Sequence, residues 1–313
     1  NLIATKSAMG LDDVKSVDVE YEQITSADVS SDAEPLKDVR QLDPIQMRDR
    51  FVLDEGQTSF YAIRDLDVDR YEINGRQQQV LVAARELNTA GIPNRTWVSR
   101  HLLYTHGCGL IVAPASKVTI DGRPIYTDLE IAQPELYFGE GLDSYALVKT
   151  GETEQACADS KEKTYSANGG VVLSSVVRRV AFAVHFGEYN LFGSSLLKND
   201  SQLFFVRNIK DRVAKVAPFL RLDADPYPVI VDKKVKWVLD AFTITNRYPY
   251  AQQANIDQLT PGSGLNEPFN YVRNSVKVVV DAYDGSMTFY IVDKQDPIIK
   301  TWQSVFQIGR AHV

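Results

Sequence analysis

Three dipeptides constrain this fold more than any other feature: Asn74-Gly75, Asp121-Gly122 and Asp284-Gly285, each set between two strand-like runs. Both turn positions of a two-residue hairpin loop need positive φ, which Asn, Asp and Gly tolerate best. The second hairpin has Ile111, Val118, Ile120 and Ile125 as β-branched positions, and the third carries Val276, Val278, Val280 and Ala282 on one face. Pro228–Phe242 reads as two further strands about a turn at Asp232-Lys233. Helical periodicity is confined to short stretches. Asp43-Pro44 marks an N-cap and first helical residue, followed by Ile45, Met47, Phe51 and Val52. Val171–Phe186 places Val172, Val176, Val180 and Ala183 on one stripe. Ile209–Ala217 follows an Asn208 cap and stops at Pro218, and Ile298–Phe306 sets Ile298, Trp302 and Val305 on one side. Hairpins with a few packing helices define an α+β fold with mostly antiparallel sheet, not alternating βαβ units.

Charge divides the chain. Ten acids against three bases fall between Asp12 and Asp43, which leaves the remaining acids and bases equal in number. Residues 1–43 therefore read as an acidic extended or linker segment and 44–306 as a soluble α+β region, with the loop-rich 140–169 stretch as the candidate subdivision. An acidic balance argues against nucleic-acid binding, which needs clustered cations on phosphate. Arg178-Arg179 and Lys233-Lys234-Val-Lys236 read as solvated faces rather than phosphate sites. With 44% hydrophobic and 24% charged residues, the composition excludes a coiled coil, a low-complexity chain and a disulfide scaffold. No stretch reaches the roughly 18 apolar residues of a spanning helix. Asn1 reads as a start within a longer protein. Ile308–Val313 reads as the translation of a sequencing adapter, so 307–313 is set aside as non-native.

Fingerprints of dinucleotide, P-loop, zinc-protease, EF-hand and serine-hydrolase sites are absent, and no cofactor or metal is implied. The stretch Trp97–Gly109 holds Tyr104, His101, His106 and Cys108. Read functionally, a histidine base stands beside a thiol nucleophile. Read plainly, these are structural histidines and a small buried cysteine. A spacing of five between the histidines amounts to about 500° of helix or opposite strand faces, which disfavours a shared metal. Asp240, Asn246, Arg247, Tyr248 and Tyr250 at a strand end are a candidate polyol or sugar site; the plain alternative is an Asp–Arg pair with aromatic packing. Glu135 with Glu140, and Asp223 with Asp225, are paired carboxylates whose default reading is surface acid. Whether Cys108 and Cys157 are bridged is open from sequence.

Several phrases carry a resemblance: Leu66–Gly75, Tyr104–Gly109, Asp223–Val229, Val235–Thr243, Arg247–Tyr250 and Tyr271–Gly285. Together, collinear to about Phe306, they resemble the uncharacterised membrane protein family 0182 of actinobacteria and cyanobacteria. That resemblance implies several N-terminal transmembrane helices followed by a long domain outside the cytoplasmic membrane, of which this chain is a middle slice. It implies no catalytic residue. The family carries Tyr where this chain has Cys108, which speaks against an essential thiol or disulfide. The leading expectation is an extracytoplasmic domain of a cell-membrane protein with a binding or scaffolding role. Its expected partners are its own N-terminal membrane region and an envelope protein, lipid or glycan. The alternatives are an envelope-directed hydrolase or transferase acting through His106 or Asp240, and a transporter accessory domain. The ligand-binding candidates are Tyr104, His106, Asp240, Asn246, Arg247 and Tyr248.

Overall fold

A computed structural model of the chain describes residues 2–3, 6, 11, 14–20, 23, 25–31, 36–55, 58–157, 164–259 and 263–306. The 307–313 tail lies outside them. Residues 1–39 and 40–313 form two units. The elements in chain order are α1 (Ser26–Ser31), α2 (Pro44–Glu55), β1 (Tyr61–Ala62), β2 (Asp67–Ile73), β3 (Arg76–Ala84), β4 (Glu86–Leu87), a π-helical turn (Ser99–Leu103), β5 (Gly107–Cys108), β6 (Leu110–Pro114), β7 (Glu135–Leu136), β8 (Ala146–Val148), β9 (Val171–Val172), α3 (Val176–Phe186), α4 (Asn190–Gly193), β10 (Gln202–Phe204), α5 (Ile209–Val216), β11 (Arg221–Leu222), β12 (Tyr227–Val231), β13 (Lys234–Thr245), β14 (Tyr271–Asp281), β15 (Met287–Ile291) and α6 (Pro297–Phe306).

In the first unit, α1 is started by a reciprocal cap. The Asp28 carboxylate accepts from the Thr25 N–H at 2.7 Å, while the Asp28 N–H donates to the Thr25 hydroxyl at 3.4 Å.

The second unit is built on antiparallel ladders. Five strands, in the order β11-β13-β14-β15 with β12 also on β13, make the largest sheet. Val276, Val278, Val280 and Ala282 all face its core, as the period of two requires. Asn74 (φ 55°) and Gly75 (φ 72°) close the β2–β3 hairpin, and Asp232 (φ 52°) and Lys233 (φ 60°) close β12–β13. The Asp121-Gly122 turn forms but carries no ladder: only a bridge joins Val118 and Pro124. Ile120 there is fully exposed, because no second layer lies over that turn.

Two helices bury faces other than those their periodicity suggests. Residues Val171–Val172 pair with β10 as a strand, so α3 starts only at Val176. Phe182, Ala183 and Phe186 pack on the Leu147–Leu191–Leu203 cluster, and Val176 is 65% exposed. The aromatic rings offer more area than the valines, and Arg178 and Arg179 reach back to the carbonyls of Val172 and Leu173, fixing that rotation. In α6 the buried residue is Ile299, with Trp302 and Phe306 both stacked on Phe219, while Val305 is exposed. Asp43 caps α2 through Gln46 N–H at 3.1 Å, Phe51 is fully buried and Ile45 is 86% exposed.

The 140–169 stretch contributes β8 and the buried Leu142, Tyr145 and Tyr165 to the core.

Candidate functional site

The six sequence candidates do not come together in one site. His106 is buried edge-on to Tyr137, with Nδ1 2.8 Å from the Gly107 carbonyl, and burial pushes its pKa down to about 4. It is therefore neutral and packed. Tyr104 is half-buried against the Phe60 ring at 4.8 Å. Asp240 accepts from Lys277 Nζ at 2.7 Å and Asn274 Nδ2 at 3.0 Å on the large sheet, not from Arg247. Asn246, Arg247 and Tyr248 lie in the exposed segment after β13, whose end at Thr245 is roughly 16 Å along the strand from Asp240. Tyr248 stacks on Tyr271 at 5.2 Å and exchanges hydrogen bonds with Asn270. The Asp–Arg pair expected there does not form, because Asp240 and Lys277 face each other directly across β13 and β14.

Cys108 is bonded to Cys157, with Cα atoms 5.6 Å apart, so no thiol is free to act as a nucleophile. Beside the disulfide lies a buried polar network. Arg207 is 1% exposed and donates to the carbonyls of Tyr137 (2.7 Å), Ser144 (3.2 Å) and Thr105. Glu154 accepts from Thr105 Oγ1 at 2.5 Å, the Tyr137 hydroxyl at 2.7 Å and Tyr165 N–H at 3.3 Å. This network ties the loop after β8 to β5 and β7.

A different group of charges gathers where the chain enters β2. Asp65, Asp67, Glu86 and Glu140 line a narrow crevice with Arg64 and Trp237. Asp65, Asp67 and Asp225 also line an open cavity of about 380 Å³ together with Pro44, Ile45 and Arg48. Burial pushes Asp67 up to about 8, reinforced by the negative charges of Asp65, Asp225, Glu140 and Asp69. Burial likewise lifts Glu140 to about 7 against the pull of Lys210, whose Nζ lies 3.4 Å away. Asp225 rises to about 6 through burial and its contact with Asp65. Glu86 is raised by burial too, although it receives the Glu140 N–H (2.5 Å), the Gly141 N–H (2.8 Å) and Arg64 Nε (3.0 Å). Gly139 permits that close approach: a Cβ there would sit 2.2 Å from Glu86 Oε1. Chemically, the site places a carboxyl that is protonated at neutral pH, Asp67, close to one that ionises below it, Asp225, the arrangement of a proton donor and acceptor. Among the described residues, no group of three or more His, Cys, Asp or Glu is placed to hold a metal ion.

Glu140 and Asp225 stand in the sequence as members of carboxylate pairs, but with a surface reading. The signal for the others was the alternation Asp65-Leu-Asp-Val-Asp69, which puts three acids on one strand face. Nothing local shows that this face turns inward.

These features define the class of protein: a disulfide-stapled α+β domain with a cleft of perturbed carboxyl groups and no metal centre among its described residues. The chain belongs to the uncharacterised protein family UPF0182, whose model matches residues 1–308. It is 40% identical over 342 residues to a UPF0182 protein of Saccharopolyspora erythraea, covering 98% of this chain and 36% of that protein. It is 36% identical to one of Pelotomaculum thermopropionicum (98% and 34%) and 35% identical to one of Bifidobacterium adolescentis (100% and 32%). The chain thus spans about a third of the length of the curated relatives it matches. No solved structure matches it. Among the described residues no helix is long and apolar enough to cross a membrane.

Proposed function

We propose that this chain is the extracytoplasmic part of a multi-pass cell-envelope membrane protein and serves there in binding or scaffolding. The observation that carries the reading is the Cys108–Cys157 disulfide, since such bonds persist in oxidising compartments and are rare in the cytosol. The length of the relatives leaves ample chain for a membrane region that this domain would serve. The test is thiol trapping in intact cells. Both cysteines are expected to resist a maleimide until a reductant is added, and protease added to spheroplasts is expected to cut the chain. Two cysteines that label without reductant would sink the reading.

A second reading, an envelope-directed hydrolase or transferase, is favoured by the raised Asp67 beside Asp225 rather than by His106 or Asp240. It expects turnover of cell-wall glycan fragments with a pH profile falling between 6 and 8, and its abolition in Asp67→Asn. No turnover at any pH removes it.

A further inference from the structure

We propose that the cavity lined by Thr89, Ala90, Arg95, Arg100, His101 and Ser144 is a binding site for a phosphoryl group carrying or adjoining a free O–H. This goes beyond the binding role above and is independent of the carboxylate cleft. The cavity measures about 230 Å³, room for a phosphoryl group with a small polyol attached.

Its floor is a wide helical turn. Tyr104 N–H donates to Ser99 O at 3.0 Å, spanning five residues, so Arg100 and His101 sit on π-helical backbone of the kind that recurs at functional sites. The turn is braced against Tyr145. Trp97 Nε1 donates to the Tyr145 hydroxyl at 2.8 Å, and the His101 ring stacks on Tyr145 at 3.9 Å with 5° between planes.

The charge of the lining is one-sided. Among the described residues neither Arg95 nor Arg100 has an ion-pair or side-chain hydrogen-bond partner, and Arg100 Nε is buried without one. No carboxylate lines the cavity. Arg207 stands behind the wall, bonded to the Ser144 carbonyl. A buried guanidinium N–H left unpaired is costly, and its fork matches two oxygens of an anion.

His101 adds selectivity. Its Nδ1 lies 2.8 Å from the Tyr145 carbonyl, which only accepts, so Nδ1 carries the proton. Burial pushes its pKa down to about 4, so the ring is neutral at physiological pH and Nε2 is an acceptor. An acceptor among cations favours an anion that brings its own O–H, as hydrogenphosphate or a polyol phosphate does and sulfate does not.

The test is calorimetric titration of the intact chain with inorganic phosphate, glycerol 1-phosphate and sulfate, alongside sedimentation with phosphatidylglycerol and phosphatidylcholine vesicles. Phosphate and glycerol 1-phosphate are expected to bind roughly tenfold or more tightly than sulfate, with Arg100→Gln and Arg95→Gln each weakening them by a similar factor. Arg95 is exposed, so its variant folds and keeps the test decisive. Binding of glycerol 1-phosphate free in solution assigns a soluble phosphate ester. Binding only to phosphatidylglycerol vesicles, lost in Arg95→Gln, assigns a lipid headgroup. Equal affinity for sulfate and phosphate, unchanged binding in Arg95→Gln, or no binding in any arm overturns the proposal.

Discussion

The interior around Arg207 and Glu154 and the cleft around Asp67 hold similar numbers of ionisable groups, yet they are solved differently. Inside, burial pulls Arg207 down to about 10 and raises Glu154, but each meets a nearly full set of partners: three carbonyls for the guanidinium, two hydroxyls and an N–H for the carboxylate. In the cleft, the charges that bear most on Asp67 are all carboxylates, and its pKa moves to about 8. A satisfied buried polar network specifies structure, whereas a group left under-compensated keeps chemistry available. Attention moves accordingly from the histidine at 106, which the interior has neutralised, to acids whose sequence context looked unremarkable.

The largest effect should come from breaking the interior. Arg207→Met leaves the buried carbonyls of Tyr137 and Thr105 and the part-buried one of Ser144 without this donor, and Glu154 without a nearby cation, and should cost about 3–5 kcal/mol in denaturant unfolding. A loss below about 1 kcal/mol would mean that water replaces the guanidinium and that the network is not structural. Next, Cys108→Ser with Cys157→Ser opens a loop closed across 49 residues and should cost about 2–4 kcal/mol. Since Cys157 lies three residues from Glu154, the two changes should couple. Additive losses would show that disulfide and network hold the loop independently.

These contrasts also explain what the sequence could and could not reveal. The hairpins at Asn74-Gly75 and Asp232-Lys233 were legible because turn chemistry is local and the flanking period of two leaves one choice of face; β14 and β15 also pair as expected, but through a four-residue Ala282–Gly285 loop in which only Gly285 (φ 72°) is left-handed, not through a two-residue turn at Asp284-Gly285. The cap residues Asp43 and Asn208 were legible for the same reason: each accepts from backbone N–H groups two or three residues ahead. The rotation of α3 was not, because Phe182 and Phe186 compete with a valine stripe and only the surface they meet decides. The cleft was illegible because Asp67, Glu140 and Asp225 are brought together by long-range packing, and burial, the main cause of their shifts, has no local signature.

In the cleft, substitution should change pH dependence more than stability. Folded Asp67 keeps a proton up to about pH 8, whereas in the unfolded chain it is lost near 3.8. The folded state therefore binds more protons across that window. Stability is greatest below it and falls as pH rises through it, by up to about 1.4 kcal/mol per pH unit for each such proton. Glu140 and Asp225, raised to about 7 and 6, add to the same slope. Asp67→Asn mimics the protonated carboxyl. It should be nearly neutral near pH 3, within about 0.5 kcal/mol, and should leave the variant the more stable protein by a margin that grows as pH rises from about 4 to 8. Parallel pH–stability curves for the two proteins would show that Asp67 ionises normally.

The smallest effect belongs to Asp240, the residue whose sequence context most suggested a sugar site. Its carboxylate is held by Lys277 and Asn274 across the sheet, in a pair whose lysine is 39% exposed. Burial pulls the Lys277 pKa down, but the bond to Asp240 outweighs it and holds the ammonium above its ordinary value. A partly exposed pair is screened and contributes about 0.2–1 kcal/mol. Asp240→Asn should lose no more than that, with a coupling to Lys277→Met of the same size in a double-mutant cycle. If Asp240→Asn instead abolished binding of a glycan fragment while leaving stability intact, the pairing with Lys277 would be a resting arrangement that ligand displaces, and the sheet face, not the cleft, would be the working surface.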